Sequence, residues 1–238
     1  MNLIPVLSTL VTFVFTVFIF QRFLKKGGIH LLVWSIGFLL YGLGTLTEVL
    51  LSITFNEWFL KLWYLAGAML TAAWLGQGTF YLLVRKIKIV NSFTAGLLLV
   101  SLLSLTLLFS SPLTAAAGSF IPAHPVSSQY KEILVRGSLI TTLTILLNIY
   151  GTILLVGGAL YSAYLFWRKQ VLLNRMIGNL LIAAGALAPA IAGTFVKAGW
   201  VDGLYLSELV GVVLILIGYQ LAIINNPAER SVQVEAPY

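Results

Sequence analysis

The chain has 238 residues, of which 60% are hydrophobic and only 9% charged, with a net charge of +7 and a mean hydropathy of +1.01. Ordinary soluble domains carry ~25% charged residues, so this composition excludes a soluble domain of any size and points to an integral membrane protein. Cysteine is absent, which removes disulfides, thiolate metal sites and cysteine nucleophiles.

A bilayer core of ~30 Å takes roughly 20 helical residues per crossing. Stretches of that length fall at about 3–21, 31–55, 59–84, 91–110, 138–167, 176–197 and 204–224. The expected fold is all-α, a single seven-transmembrane-helix bundle over residues 1–226 with a short cytoplasmic tail over 227–238. The first stretch has no basic residue in front of it and is followed by Arg22, Lys25 and Lys26. That polarity is the reverse of a signal peptide, so it is expected to be a retained helix.

The second stretch has the most informative pattern. Trp34, Phe38, Tyr41, Thr45, Glu48 and Ser52 recur at steps of three and four and share one helical face. Leu32, Ile36, Leu39, Leu40, Leu43, Leu46 and Leu50 fill the other side and suit lipid or apolar neighbours. The aromatic and polar stripe should therefore face the bundle interior. Glu48 lies on it, and an acidic side chain in a crossing helix is a functional-site candidate.

The third stretch opens with Lys61 and Tyr64 and carries Gln77 between Gly76 and Gly78. After the fourth, residues 111–137 contain Pro112, Pro122 and Pro125 together with His124, Lys131, Glu132 and Arg136. This segment reads as a mobile spacer or as an outer cap, and proline-punctuated loops of this length favour the spacer. The fifth and sixth stretches hold Asn148 and Asn179, whose amides suit bonds between helices. Gly157 with Gly158, and Ala184, Gly185, Ala188 and Ala192, offer small surfaces for close helix approach. Pro189 lies inside the sixth stretch and should bend it. The seventh supplies Glu208, with Tyr205, Gly211, Ile215 and Gly218 on the same face.

Lysine and arginine are retained on the cytoplasmic side of short loops. Ten of the fourteen fall on one side of the expected bundle: Arg22, Lys25, Lys26, Arg85, Lys86, Lys88, Arg168, Lys169, Arg175 and Arg230. Lys61, Lys131, Arg136 and Lys197 fall on the other, which predicts an N-terminus outside and a C-terminus inside a multi-pass plasma membrane protein. The positive charge is then accounted for by topology and by membrane lipids with anionic headgroups. No aromatic-interleaved basic patch suggests nucleic acid.

In this arrangement Glu48 and Glu208 sit at similar depth, one or two turns below the outer surface, and could share a pocket. Tyr41, Thr45, Glu48, Lys61, Tyr64 and Glu208 are the expected ligand-binding residues. Two carboxylates in a low-dielectric cavity repel each other, so a cation, an amine or a proton would relieve them. The plainer alternative pairs Glu48 with Lys61 and Glu208 with Lys197, since buried charges are normally paired. No cofactor and no enzymatic activity are expected. His30 and His124 fall on opposite sides, no metal-ligand spacing appears, and neither a glycine-rich phosphate loop nor a nucleophile elbow is present.

The run from Leu32 to Val84, with Trp34, Tyr41, Glu48, Lys61, Tyr64 and Gly67, resembles two helices of the seven-helix N-terminal membrane region of bacterial histidine kinases. Arg175, Pro189 and the turn at Asp202 before an apolar last helix resemble that region's closing segment. Gly203, Leu204 and Tyr205 follow Asp202 where that family has a Thr-Pro pair. The resemblance implies an outward-facing sensory module. The expectation is a module without an output domain of its own that would signal through a separate cytoplasmic protein. Two other roles compete with this receptor-like reading. One is a non-catalytic accessory subunit of a larger membrane complex, which predicts a filled interior. The other is a proton-coupled small-solute carrier, for which no internal repeat speaks.

Overall fold

The computed structural model describes residues 3–168, 173–197 and 202–223. Among the described residues there are eight helices and no strand. They are α1 (Leu3–Lys26), α2 (Ile29–Leu51), α3 (Glu57–Leu83), α4 (Ile87–Ser110), α5 (Val126–Ile133), α6 (Ser138–Arg168), α7 (Leu173–Lys197) and α8 (Asp202–Ile223). Six of these, α1, α2, α3, α4, α6 and α8, are long and apolar enough to cross a membrane. The chain is thus an all-helical membrane protein. α7, which covers the sixth expected crossing, has 25 residues and contains Pro189.

Helix ends differ from the hydropathy boundaries for local reasons. α1 runs on to Lys26, past Arg22 and Lys25, because long basic side chains reach polar surroundings from an apolar helix and favour its C-terminal dipole. Gly27 and Gly28 then turn the chain with φ of 67° and 98°, a left-handed conformation that glycine adopts without strain. α2 stops at Leu51 rather than near 55. Asn56 starts α3 by accepting hydrogen bonds from the amides of Trp58 at 2.8 Å and Phe59 at 3.4 Å.

Both α3 and α6 change pitch midway. Tyr64–Leu70 of α3 and Ile153–Gly157 of α6 are π-helical, with the wider turn that is frequent at functional sites. Side chains absorb carbonyls that such a turn releases. Thr71 donates to Ala66 O at 2.7 Å, and Asn148 donates across to Ala68 O at 2.7 Å.

Two apolar clusters flank the centre. One joins Tyr64, Met69, Ala73 and Trp74 of α3 to Leu97 and Leu108 of α4 and Leu147 of α6. The other joins Phe15 and Ile19 of α1, Phe38 of α2, and Val212, Ile215 and Tyr219 of α8. Small residues set the closest approaches. A Cβ at Gly151 would stand 2.2 Å from the Ala72 backbone, one at Gly44 2.8 Å from Gly67 Cα, and one at Gly185 2.5 Å from Gly211 O. Gly157, by contrast, faces open space. The α2 stripe points inward at Phe38, Thr45 and Glu48, whereas Ser52, just past the last turn, is exposed.

Of the three amides expected to join helices, two do. Gln77 is fully buried, donates to Val90 O at 3.2 Å and to Thr94 Oγ1 at 2.7 Å on α4, and accepts from the Tyr150 hydroxyl of α6. Asn148 bridges α6 to α3 as described above. Asn179 instead donates to Arg175 O at 2.8 Å within its own helix.

Residues 111–137 form a cap on the bundle, and the expectation of a mobile spacer is corrected accordingly. Leu113 and Leu134 pair antiparallel, Thr114 N donates to Ile133 O at 2.9 Å, and the Gln129 side chain ties Ile121 and His124 together. Val126 and Ile133 are buried against Leu51 and Leu60 at the turn between α2 and α3. Burial of these side chains, invisible in a loop rich in proline and small residues, supplies the driving force.

Candidate functional site: a capped acidic cavity

A cavity of about 450 Å³ lies between α2, α3, α6, α7 and α8 and reaches the cap. Tyr41, Gly44, Thr45 and Glu48 of α2 form one wall, and Gly67, Ala68, Thr71 and Ala72 of α3 a second. Asn148, Thr152 and Leu155 of α6, Gly185 and Pro189 of α7, and Glu208 of α8 complete its sides, while Trp63, Ser127, Tyr130 and Lys131 surround the end nearest the cap. The π-helical turns of α3 and α6 both border it, so their altered pitch shapes the space directly.

Glu48 is 3% exposed, and its Oε1 has no hydrogen-bond partner. The Tyr205 hydroxyl bonds to the same carboxylate. Glu208 Oε2 is likewise buried without a partner, and the two carboxylates are close enough to act on each other electrostatically. Tyr41 fixes their helices relative to one another by donating to Glu208 O at 2.8 Å. Pro189 cannot donate to the carbonyl one turn back, that of Gly185, and both residues face the cavity.

Four of the six residues expected to bind ligand therefore meet in one cavity: Tyr41, Thr45, Glu48 and Glu208. The other two lie outside its lining. Tyr64 is buried and bonds the Thr144 hydroxyl at 3.1 Å. Lys61 is buried too, but its Nζ lies 2.5 Å from Glu57 Oε1 and donates to Phe109 O at 3.1 Å. The expected Lys61–Glu48 pair is thus corrected. Glu57 precedes Lys61 by one helical turn, where an ion pair needs no tertiary arrangement. The side chain of Lys197 falls outside the described residues.

The cap adds polar groups that sequence spacing does not connect to the glutamates. Ser127 Oγ is buried without a partner, and Lys131 stands exposed at the opening. Arg136 lies over the Tyr130 ring at 4.9 Å and the Tyr64 ring at 5.8 Å, so cation–π contacts hold the cap to α3. Burial pushes the Tyr130 phenol above its usual range, and the neighbouring Arg136 charge draws it partly back.

No known protein family, curated protein or solved structure matches the chain. The resemblance to the membrane region of histidine kinases accordingly rests on the residues that carry it.

Proposed function

We propose that this protein is a receptor-like seven-helix membrane protein that binds a small cation or amine in the capped cavity and signals through a separate cytoplasmic partner. The observation that carries this reading is the pair of unpartnered buried carboxylate oxygens, Glu48 Oε1 and Glu208 Oε2, on one roomy cavity. A carboxylate removed from water without a counter-charge is costly, and a bound cation supplies what the protein omits. In this reading α7 is the seventh crossing, and the basic residues gathered beyond α1, α3 and α6 mark the cytoplasmic side of the plasma membrane. The cavity then opens outward beneath the cap. The accessory-subunit alternative calls for a filled interior and is less well supported for that reason.

The test is thermal unfolding of the purified protein with sodium, ammonium and a series of alkylamines, compared with Glu48→Gln and Glu208→Gln. A cation that raises the unfolding midpoint of the parent and not of the variants supports the reading. Equal response of all three proteins, or no response, rejects it. A carrier reading draws on Pro189 and the glycine-lined contact of α7 with α8, which suit a moving pair. Counterflow of the stabilising cation in vesicles separates carrier from receptor.

A further inference from the structure

The cavity is bipolar. Two acidic groups line it from α2 and α8, whereas the exposed Lys131 and the buried, unpartnered Ser127 Oγ line it from the cap. The cap end also holds Trp63 and Tyr130, and the rest of the lining mixes apolar residues with Thr71, Asn148 and Thr152. A simple cation would satisfy the glutamates and leave the opening unused. An ammonium joined by a short apolar chain to a carboxylate or phosphate would engage both ends.

Resting on the proposed cation site, we infer that the ligand is a zwitterion, with its ammonium group at Glu48 and Glu208 and its anionic group at Lys131 and Ser127. Lysine is a compact donor with three N–H groups and takes a single anionic oxygen readily, while the serine hydroxyl is a second donor on the same helix. Trp63 and Tyr130 line the same end of the cavity as Lys131 and supply apolar surface for the chain that joins the two charges. Discrimination against a plain amine follows because a ligand without the anionic group leaves the cap donors unfilled. The same chemistry occurs in free ω-amino acids and in a phosphoethanolamine lipid headgroup.

Binding is measured on the purified full chain with ω-amino acids from 4-aminobutyrate to 8-aminooctanoate, each against the alkylamine and the carboxylate of equal length. At the best length the zwitterion should bind about tenfold more tightly than the amine, and the carboxylate should not bind. Lys131→Gln combined with Ser127→Ala should erase that advantage while amine binding persists. Lys131 is exposed and Ser127 Oγ has no hydrogen bond to lose, so the unliganded unfolding midpoint should not fall. Equal affinity for amine and zwitterion, or an advantage that survives the double substitution, overturns the zwitterion and leaves the acidic site standing. Absence of binding by either overturns both. Repetition in nanodiscs of phosphatidylglycerol, with and without phosphatidylethanolamine, distinguishes the sources. Competition by phosphatidylethanolamine that the double substitution relieves identifies the headgroup, and undiminished binding identifies the free solute.

Discussion

Gln77 and Glu48 are both buried on neighbouring helices, yet the bundle treats them in opposite ways. Around Gln77 the amide donors reach Val90 O and Thr94, the amide oxygen takes the Tyr150 hydroxyl, and the residue does not line the cavity. Around Glu48 one oxygen has no partner and open space begins. Around Gln77, α3, α4 and α6 close their polar groups onto each other, which binds helices together in a solvent that offers no hydrogen bonds. The α2–α8 side leaves Glu48 Oε1 and Glu208 Oε2 without a partner beside the cavity.

The largest break in that contrast should come from the closed side. At Gly151 an added Cβ would press on the Ala72 backbone, which has no side-chain freedom to yield. Gly151→Val should destabilise at or above the upper end of the ~1–3 kcal/mol typical of overpacking, read as loss of folded protein in detergent titration. Next, Gln77→Leu should cost roughly 1–2 kcal/mol, because the Tyr150 hydroxyl and the Thr94 side chain lose their shared partner.

Glu48→Gln carries the opposite sign. Replacing the carboxylate by a neutral amide of the same shape relieves its repulsion with Glu208, so the unliganded protein should unfold at the same temperature or a higher one. A Glu48→Gln protein as destabilised as Gln77→Leu would show that the two sites are built alike.

A smaller effect is expected at the cap. The phenol of Tyr130 titrates above the ordinary value of 10.0 because it is partly buried, with the Arg136 charge opposing that shift and Tyr64 adding to it. A raised folded-state value means that the neutral phenol is the form the cap favours. Its contribution is therefore complete below pH 10 and is lost as pH rises through the folded-state value. Arg136→Ala should move the Tyr130 titration further upward, followed by ultraviolet absorbance of the phenolate. Smallest of all, Ser52→Ala at the exposed end of α2 should change stability by no more than ~0.5 kcal/mol in the same unfolding assay.

Much of the acidic side was legible in the spacing of residues. Period-3.6 recurrence of Phe38, Tyr41, Thr45 and Glu48 defines one face wherever the helix sits, and a glutamate on an inward face has to meet other helices. The similar depth of Glu48 and Glu208 likewise follows from counting residues along two helices of opposite direction. The partner of Lys61 is Glu57, one helical turn away in sequence, and not the distant Glu48. Neither the π-helical turns nor the cap left such a trace. The pitch change in α3 goes with Asn148 of another helix and Thr71 reaching the carbonyls of Ala68 and Ala66, a tertiary match that residue spacing does not encode.

Chain composition and hydrophobic period by themselves determined that the molecule is a helical membrane protein and which face of α2 turns inward. Both follow from local rules, the length of a crossing and the geometry of a helix, that hold without knowing any neighbour. Tertiary structure alone decided that Ser127, Tyr130 and Lys131 close over the two glutamates. That juxtaposition joins positions some eighty residues apart, and it comes from the burial of Val126 and Ile133 against Leu51 and Leu60, a packing choice that no periodicity encodes.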